Sequence, residues 1–130
     1  MLDHLRQKAS ATISSITTVT LSTYGPASVQ AGNFRCEAEG LYLYLLVPRT
    51  SELLFNIENQ PEVIATAHEW QLKGKAVILA ANAIQEIHLM ELPEADWCEV
   101  IEIRPVCLHI QPADLAQPCE TIDFPEINLE

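Results

Sequence analysis

The hydrophobic pattern is strongest at residues 41–47, where seven apolar or aromatic residues follow one another. Both alternating faces of this segment are apolar, which is typical of a strand that is covered on two sides. Pro48 has no amide proton and ends the strand. Beyond it, Leu53, Leu54 and Ile57 recur with helical spacing. The segment therefore predicts a strand, a break and a helix.

One face of the predicted strand would fill a core, and the other must meet a helix, a second subunit or a flat ligand. A barrel of this size cannot hide both faces by itself, whereas a dimer interface would. Thr50 or Ser51 can cap the helix, and residues 59–61 can end it. A helix that begins after a strand presents free N–H groups, which suit a phosphate. A plain strand-to-helix connection is the alternative.

The rest of the chain is predicted to be mainly β. The predicted elements are a helix at residues 2–9, a hairpin of strands 12–22 and 27–34, strands at 62–69 and 70–80, and a closing strand at 97–110. Turns are expected at residues 24–26 and 37–40. Gly74 suggests a bulge or a close backbone contact within its strand, and Pro105 an edge position or a bulge.

Two segments are less regular. Residues 81–96 combine helical and strand spacing, and we favour a short helix that ends near Pro93. Residues 111–130 form an acidic, proline-containing tail, which we expect to be an ordered cover at most. Together the elements predict a single domain, residues 1–130, built as a six-stranded antiparallel β-barrel with short helices.

The charge balance excludes several partners. Eighteen acidic and seven basic residues give a formal charge of −11, which argues against binding to nucleic acid or to an anionic membrane surface. No apolar run approaches the roughly 20 residues that a membrane helix needs. The first ten residues lack the apolar core of a signal peptide. We therefore expect a cytoplasmic protein.

The cysteines and histidines do not have the spacing of a metal site. Cys36, Cys98, Cys107 and Cys119 form no CxxC pair, and we expect free buried thiols. The four histidines are far apart in the sequence. A metal or haem role would require two of them to converge across strands or subunits, so we predict no metal site.

The order of four segments resembles the pyridoxamine 5′-phosphate oxidase-like family of FMN-binding split barrels, from about residue 5 to residue 105. The segments are TVTLSTYGPASVQAGNF, LYLYLLVPRTSELLFNIENQP, WQLKGKAVIL and VIEIRP. The resemblance implies a split-barrel homodimer that holds FMN at the interface between its subunits. FMN would be the small-molecule ligand, and the partner would be a second copy of the chain.

The resemblance also implies which residues contact FMN. It places the isoalloxazine ring against Val29, Gln30 and Ala31, the phosphate at Arg49, Thr50 and Ser51, and further contacts, across the dimer, at Trp70 and Gln71. No residue can be assigned as acid, base or nucleophile, so the catalytic residues are unknown.

Three positions depart from the family pattern. Family members usually carry Lys or Arg three residues before the Asn that Asn56 matches, where this chain has Leu53. An Arg often follows the glycine of the first hairpin, where this chain has Pro26. Glu52 adds a negative charge in the first helical turn. Losing two charge-assisted hydrogen bonds of roughly 1.5–3 kcal/mol each would weaken phosphate binding roughly 10²- to 10⁴-fold.

Three hypotheses follow. The first is an FMN-dependent oxidoreductase of unknown substrate, in which the flavin supplies the electron chemistry. The second is a split-barrel dimer that has lost flavin binding and serves as a non-enzymatic binding or structural module. The third is a protein that holds haem or another flat ligand through a histidine.

Overall fold

The computed structural model describes residues 2–14, 16–80, 87–111, 116 and 119–124. Its helices and strands, in chain order, are α1 (Leu2–Ser14), β1 (Thr18–Thr23), β2 (Gln30–Glu39), β3 (Tyr42–Pro48), α2 (Glu52–Asn59), β4 (Glu62–Thr66), β5 (Trp70–Leu79), β6 (Cys98–Ile110) and β7 (Glu120–Asp123). Two short 3₁₀ helices, His88–Glu91 and Pro93–Trp97, lie between β5 and β6.

Six strands form a closed antiparallel barrel. Their order is β3-β2-β1-β4-β5-β6, and pairing of β3 with β6 closes the ring. β7 pairs with β6 outside the ring. This confirms the predicted mainly β class and the six-stranded antiparallel barrel.

The barrel interior is built from alternating positions of the strands. Along β5, Leu72 and Ala76 point inward while Lys73 and Lys75 are exposed, as the sequence pattern predicts. The largest fully buried side chains of the strands are Leu21, Leu43, Leu45, Leu72, Ile101, Ile103 and Leu108. Helix α2 adds Leu53, Leu54 and Ile57 to the same core.

Part of the outer face of β3 is covered by the chain itself. Leu46 points away from the barrel core, yet its exposed fraction is only 3%. It packs with Ile87, Leu89 and Ala95 in a second apolar cluster. Residues 87–97, here called the cover segment, therefore lie over Leu46, whereas Tyr42 and Tyr44 on the same face stay partly exposed. Cover by a second subunit stays a prediction.

The cover segment is tied to β2 by two polar contacts. The Leu89 amide donates to Glu37 Oε1 at 3.1 Å. Arg35 Nε lies 3.1 Å from Glu94 Oε2 in an ion pair. The predicted helix at residues 81–96 is seen here only as the two 3₁₀ helices, and its first six residues, 81–86, lie outside the described residues.

Several predicted boundaries are wrong. Helix α1 continues to Ser14, and β1 begins only at Thr18, because Ala9 and Ile13 are buried on one helical face and their packing overrides the β preference of the segment. β2 extends to Glu39, so the turn before β3 shortens to the residues around Gly40, whose φ is +61°. β4 ends at Thr66.

The predicted irregularity at Gly74 and Pro105 is confirmed. Gly74 pairs with Pro105 while Lys73 pairs with Cys107, so Val106 is the extra residue of a bulge in β6. A Cβ atom on Gly74 would lie 2.6 Å from the Arg104 carbonyl oxygen. Only glycine allows the two strands to approach this closely.

Part of the acidic tail forms a strand. β7 pairs with β6, its Ile122 is buried, and Glu120 forms an ion pair with Lys8 of α1. For residues 111–130 an ordered cover at most was predicted, and the strand β7 was not predicted. Residues 112–115, 117–118 and 125–130 of the tail lie outside the described residues.

Candidate functional site at helix α2

Three amides at the start of helix α2 have hydrogen-bond partners within the chain. Ser51 is the N-cap, and its side-chain oxygen accepts from the Leu53 amide at 3.2 Å. The Leu54 amide donates to the Ser51 carbonyl at 3.2 Å, and the Ser51 amide donates to the Pro48 carbonyl at 2.9 Å. The predicted capping role of Ser51 is confirmed, and these three N–H groups have protein partners.

A buried amide on α2 organises the neighbouring turn. The Asn56 side chain is 0% exposed. Its Nδ2 donates to the Ser28 carbonyl at 2.8 Å and to Thr23 Oγ1 at 3.1 Å. Its Oδ1 accepts from the Ala27 amide at 2.9 Å. This bridging role of Asn56 was not predicted from the sequence. A polar residue among the apolar helix residues Leu53, Leu54 and Ile57 was the signal that could have indicated it.

The three predicted ring contacts lie together at the start of β2. Val29 has an exposed fraction of 66%, and Ala31 is also exposed. Gln30 Nε2 donates to the Ala27 carbonyl at 2.8 Å, so this carboxamide is engaged within its own turn.

Beside these residues, β2 and α2 meet in an apolar corner formed by Gly32, Phe34 and Leu53. A Cβ atom on Gly32 would lie 2.9 Å from Phe34 Cζ and 3.8 Å from Leu53 Cδ1. The Phe34 ring therefore occupies the space that the glycine leaves open. We call this feature the β2–α2 corner.

The residues predicted to hold a phosphate have competing partners. Arg49 Nε lies 3.5 Å from Glu99 Oε1, so the guanidinium already faces a carboxylate. The Ser51 hydroxyl caps α2, and Thr50 is exposed. Glu52 places its carboxylate in the first turn of α2, where it suits the helix dipole and repels an anion. The site thus combines one exposed cation with two nearby carboxylates.

A groove of about 520 Å³ lies on another side of α2. It is lined by Arg49, Ser51, Leu54, Phe55, Glu58, Ile78, Leu79, Ala80 and Glu99. We call it the mouth groove, because it opens between α2 and the ends of β5 and β6. Two predicted site residues, Arg49 and Ser51, meet here. The groove has the size of a small-molecule site, and barrel mouths commonly hold ligands.

The remaining predicted residues lie elsewhere. Trp70 and Gln71 begin β5, whereas the mouth groove is at its other end, roughly 30 Å away at the usual strand rise. Trp70 is 4% exposed, and its Nε1 has no hydrogen-bond partner among the described residues. Gln71 is exposed. Within one chain, the structure does not bring these two residues to the others.

A second polar network lies on the outer face of the barrel. The Tyr44 hydroxyl donates to Glu102 Oε2 at 3.0 Å, and Arg104 Nε donates to Glu102 Oε1 at 2.9 Å. Burial first, and then the hydrogen bond and negative charge of Glu102, together raise the pKa of Tyr44 from 10.0 to about 12. This tyrosine stays protonated at neutral pH.

The cysteines are free, as predicted, but they are not all buried. Cys36 and Cys98 are buried, Cys107 is half-buried and Cys119 is exposed. Burial raises the pKa of the Cys36 thiol from 9.0 to about 12. A thiol in this state is a poor nucleophile.

The described residues contain neither a metal-binding cluster nor a membrane-spanning helix. Within the described ranges, no three His, Cys, Asp or Glu side chains are grouped as a metal site. No helix in the described part of the chain is long and apolar enough to cross a membrane.

Comparison with known proteins identifies the fold. No family model and no curated protein matches the chain. Among solved structures, general stress protein 26 from Bacillus anthracis str. Sterne is 21% identical, with a TM-score of 0.68 over 93% of this chain and 99% of that chain. A protein from Clostridium acetobutylicum related to general stress protein 26, of the pyridoxinephosphate oxidase family, is 12% identical, with a TM-score of 0.68 over 93% and 95%.

A third similar structure is that of a heme binding protein. A heme binding protein from Mycobacterium smegmatis is 15% identical, with a TM-score of 0.66, over 91% of this chain and 56% of that chain. Sequence identities this low establish a shared fold, not a shared activity. The chain therefore has the split-barrel fold of the general stress protein 26 and pyridoxamine 5′-phosphate oxidase-like structures.

Proposed function

We propose that this chain is a non-enzymatic split-barrel binding module that forms a homodimer and does not use FMN. The observation that carries the proposal is the closed start of α2. There the N–H groups of Ser51, Leu53 and Leu54 have protein partners, and Glu52 supplies the adjacent charge. A flavin phosphate would find no free donor among these three amides, and the cation beside them, Arg49, already faces Glu99.

The β2–α2 corner supports the same conclusion. Leu53, which stands where family members usually carry Lys or Arg, packs with Phe34 at Gly32, so an apolar side chain replaces a phosphate-binding cation there. A phosphate brought against them would lose hydration without gaining hydrogen bonds, which is unfavourable. FMN-dependent oxidoreductase chemistry therefore has less support from this chain's residues than a binding role has.

The homodimer is proposed on the resemblance and on a part of the barrel surface that carries few charges. By strand pairing and alternation, the outward residues in the middle of this face are Thr18, Thr20, Ser22, Ala31, Asn33, Arg35, Ile64 and Thr66, and Glu37, Glu39 and Glu62 point outward at the ends of β2 and β4. Two chains of charge −11 repel each other, so an interface through the middle of this face would bury few carboxylates. Sedimentation velocity should therefore find a dimer.

A haem-binding role has weaker support. His68, His88 and His109, the histidines whose side chains the structure describes, are all exposed. His109 Nδ1 lies 3.0 Å from Thr121 Oγ1. A haem held by one of them would lie on the surface, where its large apolar ring would remain in contact with water.

An absorbance spectrum tests the proposal against both alternatives. We expect the purified protein to show no flavin bands and no Soret band. After addition of FMN or hemin, the spectrum of the mixture should equal the sum of the separate spectra of protein and ligand. Flavin bands that shift on addition of FMN would overturn the proposal in favour of the flavoprotein. A sharpened Soret band after hemin would favour the haem protein.

A further inference from the structure

The mouth groove has an electrostatic character that the proposed function does not use. Its charged residues are two carboxylates, Glu58 and Glu99, and one guanidinium, Arg49. The Arg49–Glu99 contact of 3.5 Å is between half-exposed side chains, so it is weak and separable. The groove thus has a net negative lining.

Glu58 lies at an electrostatically unfavourable position. It is in the last turn of α2, which contains no basic residue. The C-terminal end of a helix carries partial negative charge, so a carboxylate there is repelled. Glu58 forms no ion pair with any of the described residues. A positive group in the groove would relieve this repulsion.

The walls of the groove are apolar and aromatic. Leu54, Ile78, Leu79 and Ala80 form one part, and Phe55 forms another. The Phe55 side chain is 52% exposed although its helical neighbours are buried. An aromatic face attracts a cation and also covers an apolar ligand, so Phe55 suits a ligand that has both properties.

We propose that the mouth groove binds an organic cation, namely a protonated amine carried on an aromatic body. The ammonium group would lie near Glu58 and the carbonyl end of α2, and the ring would lie against Phe55 and Leu79. The groove shares Arg49 and Ser51 with the predicted phosphate site, whereas Glu58, Phe55 and Leu79 lie outside the predicted FMN contacts. Variants of Glu58 and Phe55 therefore test this site separately from FMN binding.

The test compares three phenylalkyl probes that differ in charge, by nuclear magnetic resonance titration of the full chain. Phenethylamine carries a positive charge, 2-phenylethanol is neutral and 3-phenylpropionate is negative. We expect phenethylamine to bind about fivefold more tightly than 2-phenylethanol at low salt, the scale of a partly exposed ion pair, and the preference to shrink as salt is added. Equal affinities for amine and alcohol, or a preference for the carboxylate, would overturn the proposal.

Matched variants locate the site. Glu58→Gln should remove most of the preference for the amine. Glu52→Gln, which changes the same charge at the other end of α2 and outside the groove, should leave the preference within twofold. Phe55→Ala should weaken the binding of both the amine and the alcohol. Because Phe55 is exposed, the variant should stay folded. If Glu52→Gln weakens amine binding as much as Glu58→Gln does, the amine is attracted by the overall negative charge of the protein, and the proposed site is disproved.

Discussion

The side-chain oxygen of Asn56 accepts a hydrogen bond from the Ala27 amide at 2.9 Å, which ties α2 to the turn before β2. The same side chain holds the carbonyl of Ser28, whose φ of 65° lies in the left-handed region. Gly25 makes this approach possible, because a Cβ there would lie 2.8 Å from Asn56 Oδ1. One buried amide thus positions the turn next to the candidate site.

Replacing this amide should destabilise the protein strongly. Asn56→Ala leaves the partly buried Ala27 amide and Ser28 carbonyl without their partner, at roughly 1–3 kcal/mol for each. We expect a total loss of about 2–5 kcal/mol in the free energy of unfolding, measured by urea denaturation. Asn56→Asp should be similarly damaging, because a carboxylate cannot donate to the Ser28 carbonyl.

Asn59→Ala is the matched control on the same helix. Its Nδ2 donates to the Phe55 carbonyl at an exposed position, so we expect a change within about 0.5 kcal/mol. A loss for Asn56→Ala no larger than this would contradict the role assigned to the buried amide.

The four thiols should react with iodoacetamide at very different rates. Alkylation requires the thiolate, and burial raises the pKa of Cys36 to about 12 and also raises that of Cys98. We expect exposed Cys119 to be modified first and Cys36 and Cys98 last, as followed by peptide mass spectrometry. Denatured protein, in which all four should react alike, is the control. Early modification of Cys36 would contradict the described packing of β2.

Tyr44 should titrate later than an ordinary tyrosine. Its folded-state pKa is about 12 against an ordinary 10.0, so its contribution to stability is complete below pH 10 and is lost as the pH rises towards 12. Tyrosinate absorbance should show one late group, and Tyr44→Phe should abolish it. The substitution also removes the hydrogen bond to Glu102, and we expect a loss of about 1.5 kcal/mol in unfolding free energy. Tyr24→Phe, at an exposed position, should leave the late group in place.

Local signals predicted the parts of the fold that depend on single residues. Ser51 caps α2 because its hydroxyl can reach the Leu53 amide, and Gly74 opposite Pro105 marks a bulge because one lacks a side chain and the other an amide proton. The alternating pattern of β5 likewise predicts which side faces the core.

Features that depend on distant contacts were not predictable in this way. The β-branched residues Thr12 and Ile13 lie in α1 because Ile13 packs into the barrel core, a long-range effect that local preference does not contain. The covering of Leu46 by residues 87–97 depends on how a later segment folds back. The three bonds of Asn56 join residues about 30 positions apart in the sequence, beyond any local pattern.

The central claim is that the start of α2 accepts no phosphate, and isothermal titration of the protein with FMN and with riboflavin tests it most directly. The two ligands share the isoalloxazine ring and differ in the phosphate. We expect FMN to bind no more tightly than riboflavin, because the amides of Ser51, Leu53 and Leu54 already have protein partners, Arg49 faces Glu99 and Glu52 repels the phosphate. A preference for FMN of about tenfold or more, equivalent to roughly 1.4 kcal/mol, would contradict the account.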